Sequence, residues 1–218
     1  MISCVIFLGT CNFRCPYCHN KDLVLWPNQL DSISLGDIRH YVSSYSDWLD
    51  GIVISGGEPC LHSGLPNLIE EFRRMGMKIK LDTNGTRPAL LKQLIRNGLL
   101  DYVAMDFKAP LNEFSYRRCS GVWTDIRAIG QSIDLLLKGQ IDYEFRVTIC
   151  PGLLSIEDIE SMCERIQGAK RFVLQGFVPQ NTLDPAMIER MPYTTEKMEA
   201  MQKMASSYVE ECLIKSTH

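Results

Sequence analysis

The 218-residue sequence holds no apolar run long enough to cross a membrane as a helix, since a span needs about 20 consecutive apolar residues. An excess of one charge is lacking too. Lys and Arg number 23 against 26 Asp and Glu, a net charge of -3, and no basic stripe marks a nucleic-acid face. Met1-Ile2-Ser3-Cys4 shows neither a charged leader nor a cleavage site, so these residues read as the start of a strand. No low-complexity linker divides the chain, and one domain over residues 1–218 is expected. Nine cysteines, an odd count without a secretory signal, speak against a disulfide framework and for a reducing compartment, the cytoplasm.

Most cysteines are scattered, but three are not. Cys11-Asn12-Phe13-Arg14-Cys15-Pro16-Tyr17-Cys18-His19-Asn20 has the spacing Cys-x3-Cys-x2-Cys directly after an apolar strand over residues 2–8. A tight Gly9-Thr10 turn delivers the three thiolates to one loop, where they can hold a soft metal centre. A 4Fe–4S cube normally takes four cysteines, so three leave one iron open to another ligand. A zinc site on Cys11, Cys15, Cys18 and His19 is the competing reading, although no second Cys-x2-Cys pair exists.

Beyond this loop, strands over residues 51–55, 77–81, 102–105, 143–149 and 171–174 alternate with amphipathic helices. The helices are marked by Leu35 to Leu49, Leu65 to Met75, Leu90 to Ile95, Ile126 to Leu136, Ile156 to Ile166 and Met198 to Cys212. A longer loop runs to about Trp123 before the fourth of them. Six strand–helix repeats predict α/β architecture with a parallel sheet, doubly wound or curled into a barrel.

The unusual polar groups follow strand ends. After the cysteine loop come Gly56-Gly57-Glu58-Pro59, Asp82-Thr83-Asn84-Gly85, and Asp106 with Lys108. Arg146 breaks an apolar strand, so it needs an ion-pair or ligand partner, and Gln175 closes the sixth strand. In parallel α/β folds ligand sites lie on this carboxyl rim. Each motif alone also fits a turn, a helix cap or a structural ion pair. Cys163 and Cys212 sit on apolar helix faces and read as core. Cys4 and Cys150 pack beside strands, while Cys60 and Cys119 fall in rim loops. His40, His62 and His218 have no evident partner, and Val178-Pro179-Gln180-Asn181 no evident role.

The Cys-x3-Cys-x2-Cys loop, with Tyr17 before its last cysteine, resembles the signature of radical S-adenosylmethionine (SAM) enzymes. The Cys18-His19-Asn20 ending resembles glycyl-radical-enzyme activases, and more narrowly the compact activating proteins of anaerobic ribonucleoside-triphosphate reductase. The resemblance implies a partial TIM barrel, (β/α)6, with parallel strands and outer helices. It implies a 4Fe–4S cluster on Cys11, Cys15 and Cys18, with SAM on the fourth iron. Tyr17 is then expected against the adenine and Gly56, Gly57 and Glu58 along the methionine amino group. Asp106, Lys108 and Arg146 are expected at the carboxylate and ribose end or at the substrate glycine. Asn20, Thr83 and Asn84 complete the cofactor-binding candidates, and Asp82, Thr83 and Asp106 are candidates for a monovalent cation. The 21–33 segment carries no cysteine, so no second cluster is expected.

The implied reaction is reductive cleavage of SAM followed by hydrogen abstraction from a glycine of a partner enzyme. A flavodoxin- or ferredoxin-type protein would donate the electron. Two other classes stay open: a small radical SAM enzyme acting on a nucleoside-like molecule, resembling 7-carboxy-7-deazaguanine synthase, and a non-enzymatic zinc-binding or electron-carrier module.

Overall fold

The computed structural model describes residues 1–215. They form one sheet of seven strands in the order of the sequence, every neighbouring pair parallel. The strands are β1 (Ser3–Leu8), β2 (Gly51–Gly56), β3 (Lys78–Thr83), β4 (Tyr102–Asp106), β5 (Asp142–Ile149), β6 (Arg171–Gly176) and β7 (Glu211–Lys215). Because β1 and β7 end the order and do not pair with each other, the barrel is incomplete. No helix among the described residues is long and apolar enough to cross a membrane.

Alternation along the strands shows which face is which. In β5, Tyr143, Phe145, Val147 and Ile149 are buried, whereas Glu144 and Arg146 are less so. The buried set belongs to one apolar core with Ile129 and Ile133 of α6 (Ile126–Leu137) and Ile159 and Met162 of α7 (Ile156–Arg165). The other set faces the concave side. A parallel sheet covered on both faces is normally apolar throughout; here the concave face carries Lys80, Asp82, Asp106, Glu144, Arg146 and Arg171. Asp82, Asp106 and Arg146 of that lining belong to a site.

The helices form where their apolar period and caps agree. In α6 the Asp125 carboxylate accepts the N–H groups of Arg127 and Ala128, and Ile129, Ile133 and Leu136 are fully buried. Each such side chain contributes about 1.5–3 kcal/mol by leaving water. Ser155 and Asp158 make a reciprocal capping box on α7, which satisfies two of the otherwise orphaned first-turn donors.

All six expected strands are present, and β7 is an addition. The last helix, α8 (Thr195–Ala205), stops where Ser206 and Ser207 turn their hydroxyls onto the carbonyls of Gln202 and Met204, the local bonding that makes serine a poor helix interior residue. Cys212 is therefore not on a helix face but on β7, its side chain buried and its carbonyl accepting from Gln202 Nε2 at 2.7 Å. The expected loop after β4 contains a helix, α5 (Glu113–Ser120), whose Tyr116 and Cys119 are fully buried. The helix expected to reach Leu49 ends at Ser44 (α2, Leu35–Ser44). His218 lies outside the described residues.

Candidate active site

The carboxyl ends of β1 and β2 approach more closely than ordinary side chains allow. Gly56 has φ of +115°, and a Cβ there would lie 2.4 Å from the Leu8 carbonyl oxygen. At Gly57 a Cβ would lie 1.8 Å from the Thr10 oxygen. With no Cβ, the two glycines let the Gly57 and Glu58 N–H groups donate to Leu8 and Thr10 carbonyls, both at 2.8 Å. Asn20 closes the far end of the loop by donating from Nδ2 to the Gly56 carbonyl at 2.9 Å.

This seam brings the cysteine loop over one cavity of about 210 Å³. Its walls include Cys11, Cys15 and Cys18, then Gly56-Gly57-Glu58, and then the row Asp106, Lys108 and Arg146. Asn20, Thr83 and Asn84 also line it. Tyr17 does not line it. Its ring is buried, with the Lys108 ammonium 5.9 Å from the centroid.

Glu58 is 1% exposed and spends its carboxylate on the scaffold. It accepts from Cys60 N at 3.0 Å, Thr83 Oγ1 at 2.7 Å and Asn84 N at 2.6 Å. Burial raises its pKa above the usual carboxylate value while those hydrogen bonds oppose the rise. Asn84 passes the link on, donating from Nδ2 to Asn12 Oδ1 at 2.9 Å.

A chain of alternating charges descends the concave face. Lys108 Nζ meets Asp106 Oδ2 at 3.3 Å, and Arg146 Nε donates to Asp106 Oδ1 at 3.0 Å. Arg146 also reaches Asp82 Oδ2 at 3.2 Å. Below it, Lys80 stands 3.7 Å from Asp82 and 3.4 Å from Glu144. Burial alone would raise the Asp106 carboxyl, but the Arg146 guanidinium and the Lys108 ammonium outweigh it and hold the carboxyl low. Burial alone would lower the Lys108 pKa, but the Asp106 carboxylate outweighs it and raises it. The positive charge between Asp82 and Asp106, candidates for a cation, is thus Arg146's own.

Three residues of the cavity wall, Phe13, Val24 and Ser55, escape a motif search. Ser55 was open to period-two reasoning, since it alternates with buried Ile54. Val24 comes from a short helix, α1 (Lys21–Leu25), that no pattern signals. His19 turns from the thiols: its Nε2 donates to the Val178 carbonyl at 2.9 Å. Asn181 donates to the His19 carbonyl at 3.3 Å, and Asp184 N to that of Pro16 at 2.9 Å. The stretch after β6 is therefore a strap across the cysteine loop. His62 has partners as well, since its Nε2 donates to the Gly9 carbonyl at 2.8 Å and supports the turn into Cys11. Among the described residues no three His, Cys, Asp or Glu side chains form a single-ion site.

A parallel partial barrel with three thiols and a charged row on its carboxyl rim defines a class. The Radical SAM superfamily model matches residues 5–166, and the chain belongs to the radical SAM superfamily. It is 32% identical to the "Putative glycyl-radical enzyme activating enzyme MJ1227" of Methanocaldococcus jannaschii, over 98% of this chain and 89% of that one. It is 30% identical to a 7-carboxy-7-deazaguanine synthase of Aquifex aeolicus, over 38% of this chain and 36% of that one. In fold it matches Streptococcus suis SuiB bound to S-adenosylmethionine, with a TM-score of 0.75 and 14% identity. That match covers all of this chain and half of SuiB.

Radical SAM proteins bind a 4Fe–4S cluster and SAM, and the donor set here suits that pair. All three loop cysteines are free and line one cavity. Burial raises the Cys11, Cys15 and Cys18 thiols, Cys15 to about 12, so they need the charge of iron to become thiolates.

Proposed function

We propose that this radical SAM enzyme is a glycyl-radical-enzyme activase, acting on an anaerobic ribonucleotide reductase. The supporting observation is the extent of likeness: it runs through nearly all of this chain and of the M. jannaschii protein, but through 86 residues of the Aquifex aeolicus deazaguanine synthase and 132 of the Haemophilus influenzae one. A single domain over residues 1–218 carries the function.

Cys11, Cys15 and Cys18 would hold three irons of the cluster. The Gly56-Gly57 edge, with no side chains in the way, would take the methionine amino group of SAM. Lys108 and Arg146, kept charged by Asp106 and Asp82, would take its carboxylate or the ribose end. Asn20, Thr83 and Asn84 keep the rim loops in register, and Glu58 fixes two of those loops to each other. Tyr17 backs Lys108 from behind the cavity wall. Bound together, cluster and SAM supply one-electron cleavage: one electron, SAM and a glycine C–H yield methionine, 5′-deoxyadenosine and a glycine-centred radical.

The test is electron paramagnetic resonance on anaerobically reconstituted protein, SAM, a reductant and the reductase. A glycine-centred doublet is expected. 5′-Deoxyadenosine released only when a nucleoside-like small molecule is added, with no doublet, overturns the reading in favour of the synthase class.

A further inference from the structure

We propose that the outer side of the cysteine loop and helix α5 form the docking surface for an acidic one-electron carrier protein of the ferredoxin type. Phe114, in the first turn of α5, and Trp123, just beyond its end, are 79% and 58% exposed, two large aromatic side chains side by side in water. Their rings meet edge to face at 6.2 Å, and the Arg117 guanidinium lies 4.5 Å over the Trp123 ring. Aromatic residues and arginine are the side chains enriched at protein interfaces.

The charge on this surface is open. Among the described residues, neither Arg14 nor Arg117 pairs with a carboxylate, whereas adjacent Arg118 is bound by Asp158 at 3.1 Å. Of the nearby acids, Asp125 caps α6 and Glu113 opens the first turn of α5. Arg14 Nη1 donates to the Cys11 and Phe13 carbonyls, both at 2.7 Å, contacts that bring no countercharge, so a partner that complements these two guanidiniums beside two rings is acidic.

The position selects an electron carrier over the substrate protein. Arg14, Phe114, Arg117 and Trp123 are all absent from the cavity wall, which a substrate glycine must enter. Yet the surface is joined to the cysteine loop. The Arg14 N–H donates to the Ser120 carbonyl at 2.7 Å, and Gly121, at φ of +75°, lies so close that a Cβ would stand 2.0 Å from the Arg14 oxygen. Arg14 is followed directly by Cys15. A carrier seated here is therefore one hydrogen bond and one residue from a cluster ligand. In the step, one electron leaves the reduced ferredoxin and one arrives at this protein's cluster, with no proton moved. The inference rests on the radical SAM assignment and not on the choice of substrate protein.

The test uses reconstituted protein and an acidic [2Fe–2S] ferredoxin as the probe. Binding of labelled, oxidised ferredoxin is read by fluorescence anisotropy, and electron transfer from reduced ferredoxin by stopped flow. For the Arg117→Glu, Trp123→Ala double variant, binding weakened at least about tenfold is expected. Wild-type binding is expected to weaken with salt and electron transfer in the variant to slow in parallel, while SAM cleavage driven by dithionite is unchanged. Should the double variant melt early, Arg117→Glu alone carries the test, because that side chain makes no hydrogen bond or ion pair among the described residues. Unchanged ferredoxin binding and reduction overturn the proposal. So does a variant that keeps both but loses dithionite-driven radical formation on the reductase, which assigns the surface to the substrate. Failure of glycyl-radical formation in the wild type, with ferredoxin binding intact, counts against the activase reading alone.

Discussion

The Glu58 carboxylate accepts the Asn84 backbone N–H at 2.6 Å, tying the loop after β2 to the loop after β3. Its other oxygen takes Thr83 Oγ1 and Cys60 N, so each oxygen faces a donor. In Glu58→Gln one of these faces meets an amide N–H₂ instead, and a buried donor loses its acceptor. The expected cost is about 1–3 kcal/mol, read as a lower melting temperature. SAM affinity should fall with it, since Thr83 and Asn84 lose their anchor.

Asp106 gives a pH signature of definite sign. Its folded pKa lies below the ordinary carboxylate value, so its contribution is present above that value and is lost as pH falls through the lowered one. At neutral pH Asp106→Asn should be less stable than wild type by about 1–3 kcal/mol, a figure reduced by its partial exposure. The gap should shrink as pH drops below about 3.9. Chemical denaturation across an acid pH series checks it.

Cluster loading should release protons. With the three thiols raised by burial, Cys15 to about 12, the apoprotein holds them neutral near pH 7. Conversion to three thiolates expels about three protons beyond those that hydrosulfide gives up on becoming cluster sulfide. The release read with an indicator dye in weak buffer should therefore exceed the sulfide's share by about three, and iron uptake should strengthen as pH rises. Cys15→Ala should abolish both cluster binding and SAM cleavage.

Gly57→Ala has no small accommodation. The new methyl would meet the Thr10 carbonyl oxygen at 1.8 Å, and that carbonyl already accepts the Glu58 N–H. The seam between β1 and β2 must open, at about 1–3 kcal/mol or more. Iron content after reconstitution and melting temperature should both drop.

Local pattern was enough for the six repeats, the three cysteines on one rim and the need of Arg146 for a partner. Each of those rests on period, turn residues or an apolar strand interrupted by charge. The strap was hidden because His19 and Val178 bond across 159 residues, and no local spacing encodes that. β7 was masked by Met198, Met201, Ala205, Tyr208 and Cys212, whose helical spacing continues past the true end of α8. The paired serines at 206 and 207 were the available stop signal. Tyr17 packs beside Lys108 with its ring buried, a depth that only the fold supplies.

The most direct measurement is iron, sulfide and zinc analysis of the anaerobically reconstituted protein, joined to paramagnetic resonance of its reduced form with and without SAM. About four irons and four sulfides per chain, and a spectrum that changes when SAM is added, are the expected result. Zinc alone, or a cluster whose spectrum ignores SAM, contradicts a cube held by Cys11, Cys15 and Cys18 with one iron left for the cofactor.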